Sequence, residues 1–110
     1  MEKWRFKKLK AQMFNYSFWE SETSPLKLCK RYNSILKNSD FKILKKVCHH
    51  FTPQGFTALF LLSESHLAIH TFPEENKTYI ELSSCVERQF KKFLENLKLY
   101  NIDIIKEDKE

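Results

Sequence analysis

Residues that break regular secondary structure are scarce in this sequence, which has one glycine and three prolines among 110 residues. Disordered chains and flexible linkers are usually rich in such residues, whereas 42% of this chain is hydrophobic and 15% is aromatic. The composition therefore predicts a folded globular protein. Its length predicts a single domain over residues 1–110, with a core only a little larger than the smallest that folds alone.

Long hydrophobic runs are also missing. The first ten residues carry charges with no apolar run after them, and no later run is long enough to cross a membrane. The three cysteines, Cys29, Cys48 and Cys85, are odd in number and lack the paired spacing of metal ligands, which favours reduced thiols over disulfides. We therefore expect a cytoplasmic protein with no membrane contact and no bound metal.

Basic residues outnumber acidic ones, giving a net charge of +5 and an isoelectric point near 9.1. Such a balance can favour nucleic acid or an anionic surface. The lysines, however, are scattered through the chain, and neither a helix-turn-helix pattern nor an aromatic RNA-binding signature is evident. We therefore expect solvated surface charges and no nucleic-acid partner.

The pattern of apolar residues predicts an alternation of strands and helices. Ser24 followed by Pro25 is typical of a helix start, because serine can cap a helix and proline is tolerated in the first turn. Helical spacing extends this helix to about Asn38 and predicts a second helix from Glu87 to about Tyr100. Strands are predicted over residues 11–19, 41–51, 56–62, 66–72 and 78–85, with a short last strand over residues 102–105.

This order of elements predicts an α+β fold, a two-layer α/β sandwich in which two helices cover one face of a largely antiparallel sheet. Aromatic and aliphatic residues would remain on the other face of that sheet. A homodimer that packs two such sheets against each other is the economical way to cover them. The apolar stripe of the first helix is expected to contain Leu26, Cys29, Tyr32, Ile35 and Leu36.

A hairpin is predicted in the middle of the chain. The run 56–62 is short and apolar, and the run 66–72 alternates between apolar and other residues, which is typical of a strand with one buried face. If the turn consists of Ser63 and Glu64 alone, Thr57 pairs with His70, which would place a hydroxyl beside an imidazole near Ser65. A slip of one residue would reverse the faces.

The same turn lacks the glycine that an ordinary two-residue hairpin favours. Tight hairpins usually carry Asn-Gly or Asp-Gly, because their central residues need positive φ angles. In this chain the two positions are Ser63 and Glu64, with Leu62 and Ser65 as the closing pair. The sequence therefore predicts a strained turn.

Residues 63–74 read Ser-Glu-Ser-His-Leu-Ala-Ile-His-Thr-Phe-Pro-Glu. This segment closely resembles the self-processing site of the short, prokaryotic type of S-adenosylmethionine decarboxylase. The proenzyme of that family carries Ser-Glu-Ser-His-Leu, one residue, Ile-His-Thr, an aromatic residue and Pro-Glu. The resemblance implies a two-layer homodimer that cuts its chain between Glu64 and Ser65 and turns Ser65 into a pyruvoyl group, with no metal or added cofactor.

The resemblance also implies roles in processing. None of the twenty side chains offers a ketone or aldehyde, so a decarboxylase without pyridoxal phosphate must make its own electron acceptor. The Ser65 hydroxyl would attack the carbonyl of Glu64 to form an ester, and elimination would then cut the chain. His70 matches the family's processing histidine, since an imidazole can move protons near neutral pH. Thr57 stands where the family carries a small hydroxyl residue that assists processing.

Further matches concern the mature enzyme and its substrate. Cys85 matches the cysteine that returns a proton to the substrate after carbon dioxide leaves. Glu74 matches a carboxylate that accepts hydrogen bonds from the ribose hydroxyls. Phe51 resembles an aromatic residue that stacks on adenine, and Phe72 and Leu67 are expected to line the same pocket.

Taken one at a time, these residues have more ordinary explanations. A serine in a turn usually serves the turn, a strand histidine is usually structural, and a single cysteine is usually a small buried hydrophobe. The run Cys48-His49-His50 could suggest a metal, but on a strand only Cys48 and His50 share a face and no complementary pair is evident. The matching neighbours of Ser65 favour the catalytic interpretation.

Specific matching covers about residues 46–85, and the chain departs from the family pattern elsewhere. The segment Lys7 to Lys10 stands where the family usually carries a Gly-x-His motif. Three functions therefore stay open: an S-adenosylmethionine decarboxylase that makes the aminopropyl donor for spermidine, a related pyruvoyl-dependent arginine or ornithine decarboxylase, and a non-enzymatic basic binding module of the same fold. The joint presence of Ser65, His70 and Cys85 favours an enzyme.

Overall fold

Six strands and two helices follow one another in a computed structural model that describes residues 12–108. The predicted start of the first strand at Ala11 and the segment Lys7 to Lys10 lie outside these residues. The strands are β1 (Phe14–Glu20), β2 (Ile43–His50), β3 (Phe56–Leu62), β4 (Ser65–Phe72), β5 (Lys77–Ser84) and β6 (Ile104–Asp108). The helices are α1 (Pro25–Asn38) and α2 (Glu87–Leu99), and a single 3-10 turn (Pro73–Glu75) joins β4 to β5.

All six strands form one sheet in the order β2-β3-β4-β5-β1-β6, and every neighbouring pair is antiparallel. Strands β2 to β5 follow one another as hairpins, whereas β1 lies beside β5 because α1 carries the chain across the sheet before β2 begins. The predicted α+β class, with a largely antiparallel sheet and two helices, is confirmed.

Helix α1 begins as its sequence predicts. The hydroxyl of Ser24 accepts a hydrogen bond from the backbone N–H of Lys27 at 3.3 Å, and Pro25 occupies the first turn. The expected apolar stripe needs one correction, because Leu26 is 71% exposed while Leu28 is fully buried. Leu28, Tyr32, Ile35 and Leu36 recur at helical spacing on the buried side, and Leu26, two residues before Leu28, lies on nearly the opposite side of the helix.

The core lies between the helices and one face of the sheet. Alternate residues of β3 and β4 are buried there, and their neighbours on the other face are more exposed. Helices α1 and α2 cover this face with buried side chains of their own. The fully or almost fully buried core includes Phe18, Leu28, Tyr32, Ile35, Leu36, Phe56, Phe60, Leu67, Ile69, Ile80, Leu82 and Phe93.

The opposite face of the sheet carries no helix within residues 12–108. Val47 is 53% exposed, Leu59 46% and Leu61 52%, and the strand pairing places all three on this face. We call these three residues the aliphatic patch. An exposed group of aliphatic side chains on a sheet is typical of an interaction surface.

One charged side chain lies inside the core. Glu20, at the end of β1, is 1% exposed, and its carboxylate accepts hydrogen bonds from the guanidinium of Arg31 and the hydroxyl of Tyr32. Burial and the adjacent Glu20 charge raise the pKa of Tyr32 well above its ordinary value, so the phenol keeps its proton and remains a donor. These contacts satisfy a buried carboxylate and join α1 to β1.

Helix α2 ends as predicted next to Asn101, whose φ of 54° lies in the left-handed region that asparagine tolerates. The chain then adds β6 to the edge of the sheet beside β1. Neither helix is both long enough and apolar enough to span a bilayer, as far as residues 12–108 show.

Candidate active site

The hairpin between β3 and β4 has the predicted two-residue turn. Leu62 pairs with Ser65 across it, and Thr57 pairs with His70 further along. The φ angle of Glu64 is 61°, a left-handed conformation that costs a residue with a Cβ atom roughly 1 to 2 kcal/mol. The two-residue turn and its strain are therefore confirmed, the pairing expected for such a turn is present, and the strain lies at Glu64, the residue before Ser65.

Two hydrogen-bond donors point at the carbonyl oxygen of Glu64. The hydroxyl of Ser65 lies 2.7 Å from this oxygen, and the backbone N–H of Cys85 donates to it at 3.2 Å. Cys85 follows β5 and lies two residues before α2, so the end of one strand and the start of a helix meet the turn here. The N–H of Cys85 polarises the carbonyl and favours attack at its carbon atom, and the Ser65 hydroxyl is the adjacent nucleophile.

Ser65 has a second neighbour that the sequence did not reveal. Its Oγ lies 2.7 Å from the Oγ of Ser84, which is fully buried at the end of β5. The backbone N–H of Val86 donates to the same Ser84 oxygen at 3.0 Å. Ser84 comes beside Ser65 because β4 and β5 pair these two residues, a register that the sequence left open.

The side chain of Cys85 is exposed, and its thiol donates to the sulfur of Met13 at 3.3 Å. The structure therefore brings Glu64, Ser65 and Cys85 together at one end of the sheet, as the predicted site requires. Met13 is an addition that no sequence pattern indicated, because it lies just before β1 and far from the turn along the chain.

Thr57 and His70 form a second cluster. Oγ1 of Thr57 lies 3.0 Å from Nδ1 of His70, so the predicted contact of a hydroxyl with an imidazole is confirmed. The expectation that this pair lies near Ser65 is wrong. His70 is five residues along β4, which corresponds to about 16 Å of extended strand, and the odd spacing puts it on the other face.

A cavity of about 320 Å³ opens beside this second cluster. Its size is at the lower end of the range for small-molecule sites. The cavity brings together five of the predicted site residues with four neighbours from the same loops and strands. Its lining consists of Phe51, Thr57, His70, Phe72 and Glu74, together with Gln54, Gly55, Phe56 and Thr71.

Leu67 does not belong to this cavity. Its side chain is fully buried in the core, on the face of the sheet that the helices cover. The prediction placed Leu67 with Phe72, but the odd spacing along β4 separates their side chains to opposite faces.

Aromatic residues on the open face support one wall of the cavity. The rings of Phe72 and Trp19 lie 5.5 Å apart, those of Trp19 and Tyr79 lie 4.9 Å apart, and the ammonium of Lys77 is 4.3 Å from the centre of the Trp19 ring. Tyr79 is also the cross-strand neighbour of His70. These contacts hold Phe72 beside the opening of the cavity.

No group of three or more histidine, cysteine or acidic side chains within residues 12–108 is arranged to hold a metal ion. Cys48 and His50 lie on β2, at the edge of the sheet, and both are exposed.

Comparison with known proteins identifies the family. A family model described as S-adenosylmethionine decarboxylase matches residues 7–100. The chain belongs to the S-adenosylmethionine decarboxylase family. Within this family, an S-adenosylmethionine decarboxylase proenzyme from Clostridium botulinum is 32% identical over 77 residues, which are 70% of this chain and 66% of that protein. The matched part is thus slightly less than two thirds of the relative's length.

Other relatives match a shorter segment more closely. The proenzyme of the same name from Moorella thermoacetica is 46% identical over 46 residues, covering 41% of this chain and 37% of that protein. A crystal structure of the adenosylmethionine decarboxylase from Aquifex aeolicus superimposes with a TM-score of 0.60 over 92% of both chains, at 18% identity. This likeness shows that the two proteins share the fold.

Proposed function

We propose that this chain is the proenzyme of an S-adenosylmethionine decarboxylase, which cuts itself between Glu64 and Ser65. Ser65 becomes the pyruvoyl group on which the mature enzyme depends. One observation carries the proposal: the Ser65 hydroxyl and the Cys85 backbone N–H both lie within hydrogen-bond distance of the Glu64 carbonyl oxygen. Membership of the family supports it, as do the relatives from Clostridium botulinum and Moorella thermoacetica, which are named as proenzymes of this decarboxylase.

Self-cleavage would begin with attack of the Ser65 Oγ on the carbonyl carbon of Glu64. The bond from that carbon to Oγ forms, its bond to the nitrogen of Ser65 breaks, and the hydroxyl proton ends on this nitrogen. The N–H of Cys85 stabilises the negative oxygen of the tetrahedral intermediate. Cutting the chain after Glu64 would free this residue from the turn that holds its φ angle positive.

The resulting ester would then break by elimination. A base removes the Cα proton of residue 65, the bond between Cβ and Oγ breaks, and the oxygen leaves with the new carboxylate of Glu64. Water then replaces the nitrogen of the dehydroalanine, ammonia is released, and a ketone remains at the start of the second fragment. We assign the proton transfers of this stage to His70, which Thr57 orients.

The residues around Ser65 fit a pyruvoyl group made in this way, because the hydroxyl already lies against the preceding carbonyl and needs no metal. When formed, the group supplies a carbonyl, next to the amide of His66, that accepts the electron pair left when carbon dioxide departs. The thiol of Cys85 is exposed at the same turn, where it can give a proton to the substrate Cα.

We place the substrate in the cavity beside His70. Phe51 and Phe72 offer aromatic faces there for the adenine ring, and the carboxylate of Glu74 can accept hydrogen bonds from both ribose hydroxyls. Glu74 lines the cavity from the 3-10 turn that follows β4.

The two clusters require a second copy of the chain. His70 and the cavity are about 16 Å along β4 from Ser65, so one polypeptide cannot bring them to the same bond. A homodimer can, if the hairpins of two copies run in opposite directions and each His70 lies beside the other copy's Ser65. The aliphatic patch on the uncovered sheet face would form part of the contact.

The product of this reaction would be the aminopropyl donor for spermidine. A cytoplasmic location belongs to the same proposal, because an odd number of cysteines without paired spacing suits a reducing compartment.

Mass spectrometry of the purified chain tests the proposal. Two fragments should meet between Glu64 and Ser65, with a pyruvoyl group blocking the second one, and Ser65→Ala should stay in one piece. Release of carbon dioxide should be faster from S-adenosylmethionine than from arginine or ornithine. A wild-type chain that remains uncut would overturn the proposed self-cleavage. A cleaved chain that prefers arginine or ornithine would overturn the proposed substrate.

A further inference from the structure

The hydroxyl of Ser65 has two hydrogen-bond acceptors within reach but only one proton. One acceptor is the carbonyl oxygen of Glu64, and the other is the Oγ of Ser84, each at 2.7 Å. We propose that Ser84 is a positioning residue for self-cleavage, which turns the Ser65 hydroxyl so that a lone pair faces the carbonyl carbon. This inference rests on the proposed function and adds a residue to its first step.

The position of Ser84 is well defined. The residue is fully buried, and its oxygen accepts a hydrogen bond from the backbone N–H of Val86 at 3.0 Å. This leaves a second lone pair on the oxygen, directed at Ser65. Since Val86 lies just before α2, the start of the helix holds the acceptor in place.

The direction of the Ser65 proton decides whether the hydroxyl can attack. When the hydroxyl donates to the Glu64 oxygen, its proton lies between Oγ and the carbonyl that it must approach. Donation to Ser84 turns the proton away and leaves a lone pair free for the carbon atom. During the step the bond from carbon to Oγ forms, the bond from carbon to nitrogen breaks, and the proton ends on the nitrogen of Ser65. Ser84 itself is unchanged.

If Ser84 had a purely structural role, its replacement would change the stability of the chain but not the cleavage rate of folded protein. A serine that bonds the N–H two residues ahead forms a common local turn, and this contact alone would affect the stability of the chain. A positioning role also affects the rate of cleavage in protein that is fully folded. Rate and stability must therefore be measured on the same variants.

The main test compares Ser84→Ala with Ser83→Ala in chains made by cell-free synthesis, where cleavage can be followed from the moment of synthesis. Ser83 is a matched control, because it is the next residue on β5, is 7% exposed and bonds Asn15 on the other face. We expect Ser84→Ala to slow cleavage roughly tenfold, which corresponds to about 1.4 kcal/mol, and Ser83→Ala to leave the rate near that of wild type.

A second pair of variants tests the inference even if Ser84→Ala fails to fold. Threonine and valine have the same shape and differ in the hydroxyl, so Ser84→Thr should cleave faster than Ser84→Val at equal melting temperature. Hydroxylamine, which splits esters, should not accelerate Ser84→Ala, because the loss falls before the ester forms.

The inference would be overturned by wild-type rates in folded Ser84→Ala, by equal rates in the threonine and valine variants, or by rescue with hydroxylamine. Equal slowing in Ser83→Ala would do so as well. A wild-type chain that never cleaves would instead overturn the proposed function, so the two failures can be told apart.

Discussion

Ser65 and His70 belong to the same strand but lie on opposite faces of the sheet, about 16 Å apart along β4. The imidazole therefore cannot reach the bond before Ser65 within one chain. If both residues take part in processing, they must come from different copies, and variants of the two should complement each other.

Co-expression of Ser65→Ala with His70→Ala tests this complementation. Each variant alone should remain uncut, because one lacks the nucleophile and the other lacks the imidazole. In mixed dimers the His70→Ala chain keeps its Ser65 and faces an intact His70, so up to about half of these chains should be cut if subunits mix at random. Mass spectrometry distinguishes the two chains. Wild-type cleavage of His70→Ala by itself would contradict the arrangement.

Cys85→Ala should separate cleavage from catalysis. The contact with the Glu64 oxygen comes from the backbone N–H of Cys85, which alanine retains, so cleavage should stay within about twofold of wild type. The thiol is lost, and decarboxylation should fall by about 100-fold or more, as expected for removal of a proton donor. Fragment analysis and carbon dioxide release measure the two effects on one sample. Blocked cleavage with normal turnover of the residual mature enzyme would reverse our assignment.

Glu74→Gln should weaken substrate binding. A carboxylate that accepts two ribose hydroxyls loses charge-assisted hydrogen bonds, so kcat/KM for S-adenosylmethionine should fall by about 10-fold to 100-fold, mainly through KM. Glu75→Gln is the matched control, since Glu75 pairs with Lys77 at 3.3 Å and does not line the cavity. Steady-state kinetics on cleaved protein should show the difference. Similar kinetics for both variants would exclude a ribose contact at Glu74.

Leu59→Asp should disrupt the proposed dimer. Leu59 belongs to the aliphatic patch, and two buried aspartates in a symmetric contact would weaken dimerisation by on the order of 100-fold. Cleavage should slow with it, because the second copy supplies His70. Leu99→Asp is the control, as Leu99 is 78% exposed on α2. Analytical ultracentrifugation should find monomers for Leu59→Asp and dimers for Leu99→Asp. The same mass for both variants would show that the aliphatic patch is not the dimer interface.

Asp40→Asn should make the stability less dependent on pH. The Asp40 carboxylate accepts hydrogen bonds from Lys92 at 2.7 Å and Arg88 at 3.0 Å, and these lower its pKa below the ordinary value. A lowered pKa gives stability that is complete above the ordinary carboxyl pKa and is lost as pH falls through the lowered one. Asparagine also tolerates the left-handed φ of 68° at this position.

Melting curves of the two proteins test this expectation. Wild type should melt slightly higher than Asp40→Asn at neutral pH, and the difference should disappear in strong acid. Added salt should reduce it too, because the contact is at the surface. A difference that stays constant from neutral to strongly acidic pH would exclude the ionised Asp40 as its source.

The local features were predictable because neighbouring residues decide them. Ser24 and Pro25 start a helix through contacts within one turn. The alternation of β4 limits the register of the hairpin, since a slip of one residue would turn Leu67 and Ile69 to the uncovered face. The family resemblance added the roles of individual residues, which remain proposals.

The features that the sequence did not reveal depend on pairing between distant segments. Ser84 reaches Ser65 only through the register of β4 with β5, and Met13 reaches Cys85 because β1 returns beside β5. The buried Glu20 depends on donors from α1. His70 pairs with Thr57 as predicted, but five residues of extended strand separate it from Ser65, so the two side chains are not close within one chain.

Cleavage after Glu64 would produce two pieces whose strands alternate in part across the sheet. The first piece would hold β1, β2 and β3, and the second would hold β4, β5 and β6. In the sheet, β1 of the first piece lies between β5 and β6 of the second, while β3 borders β4. The halves are thus interleaved, and separating them would require breaking three ladders of backbone hydrogen bonds. A severed molecule should remain assembled in ordinary buffer and come apart only in denaturant.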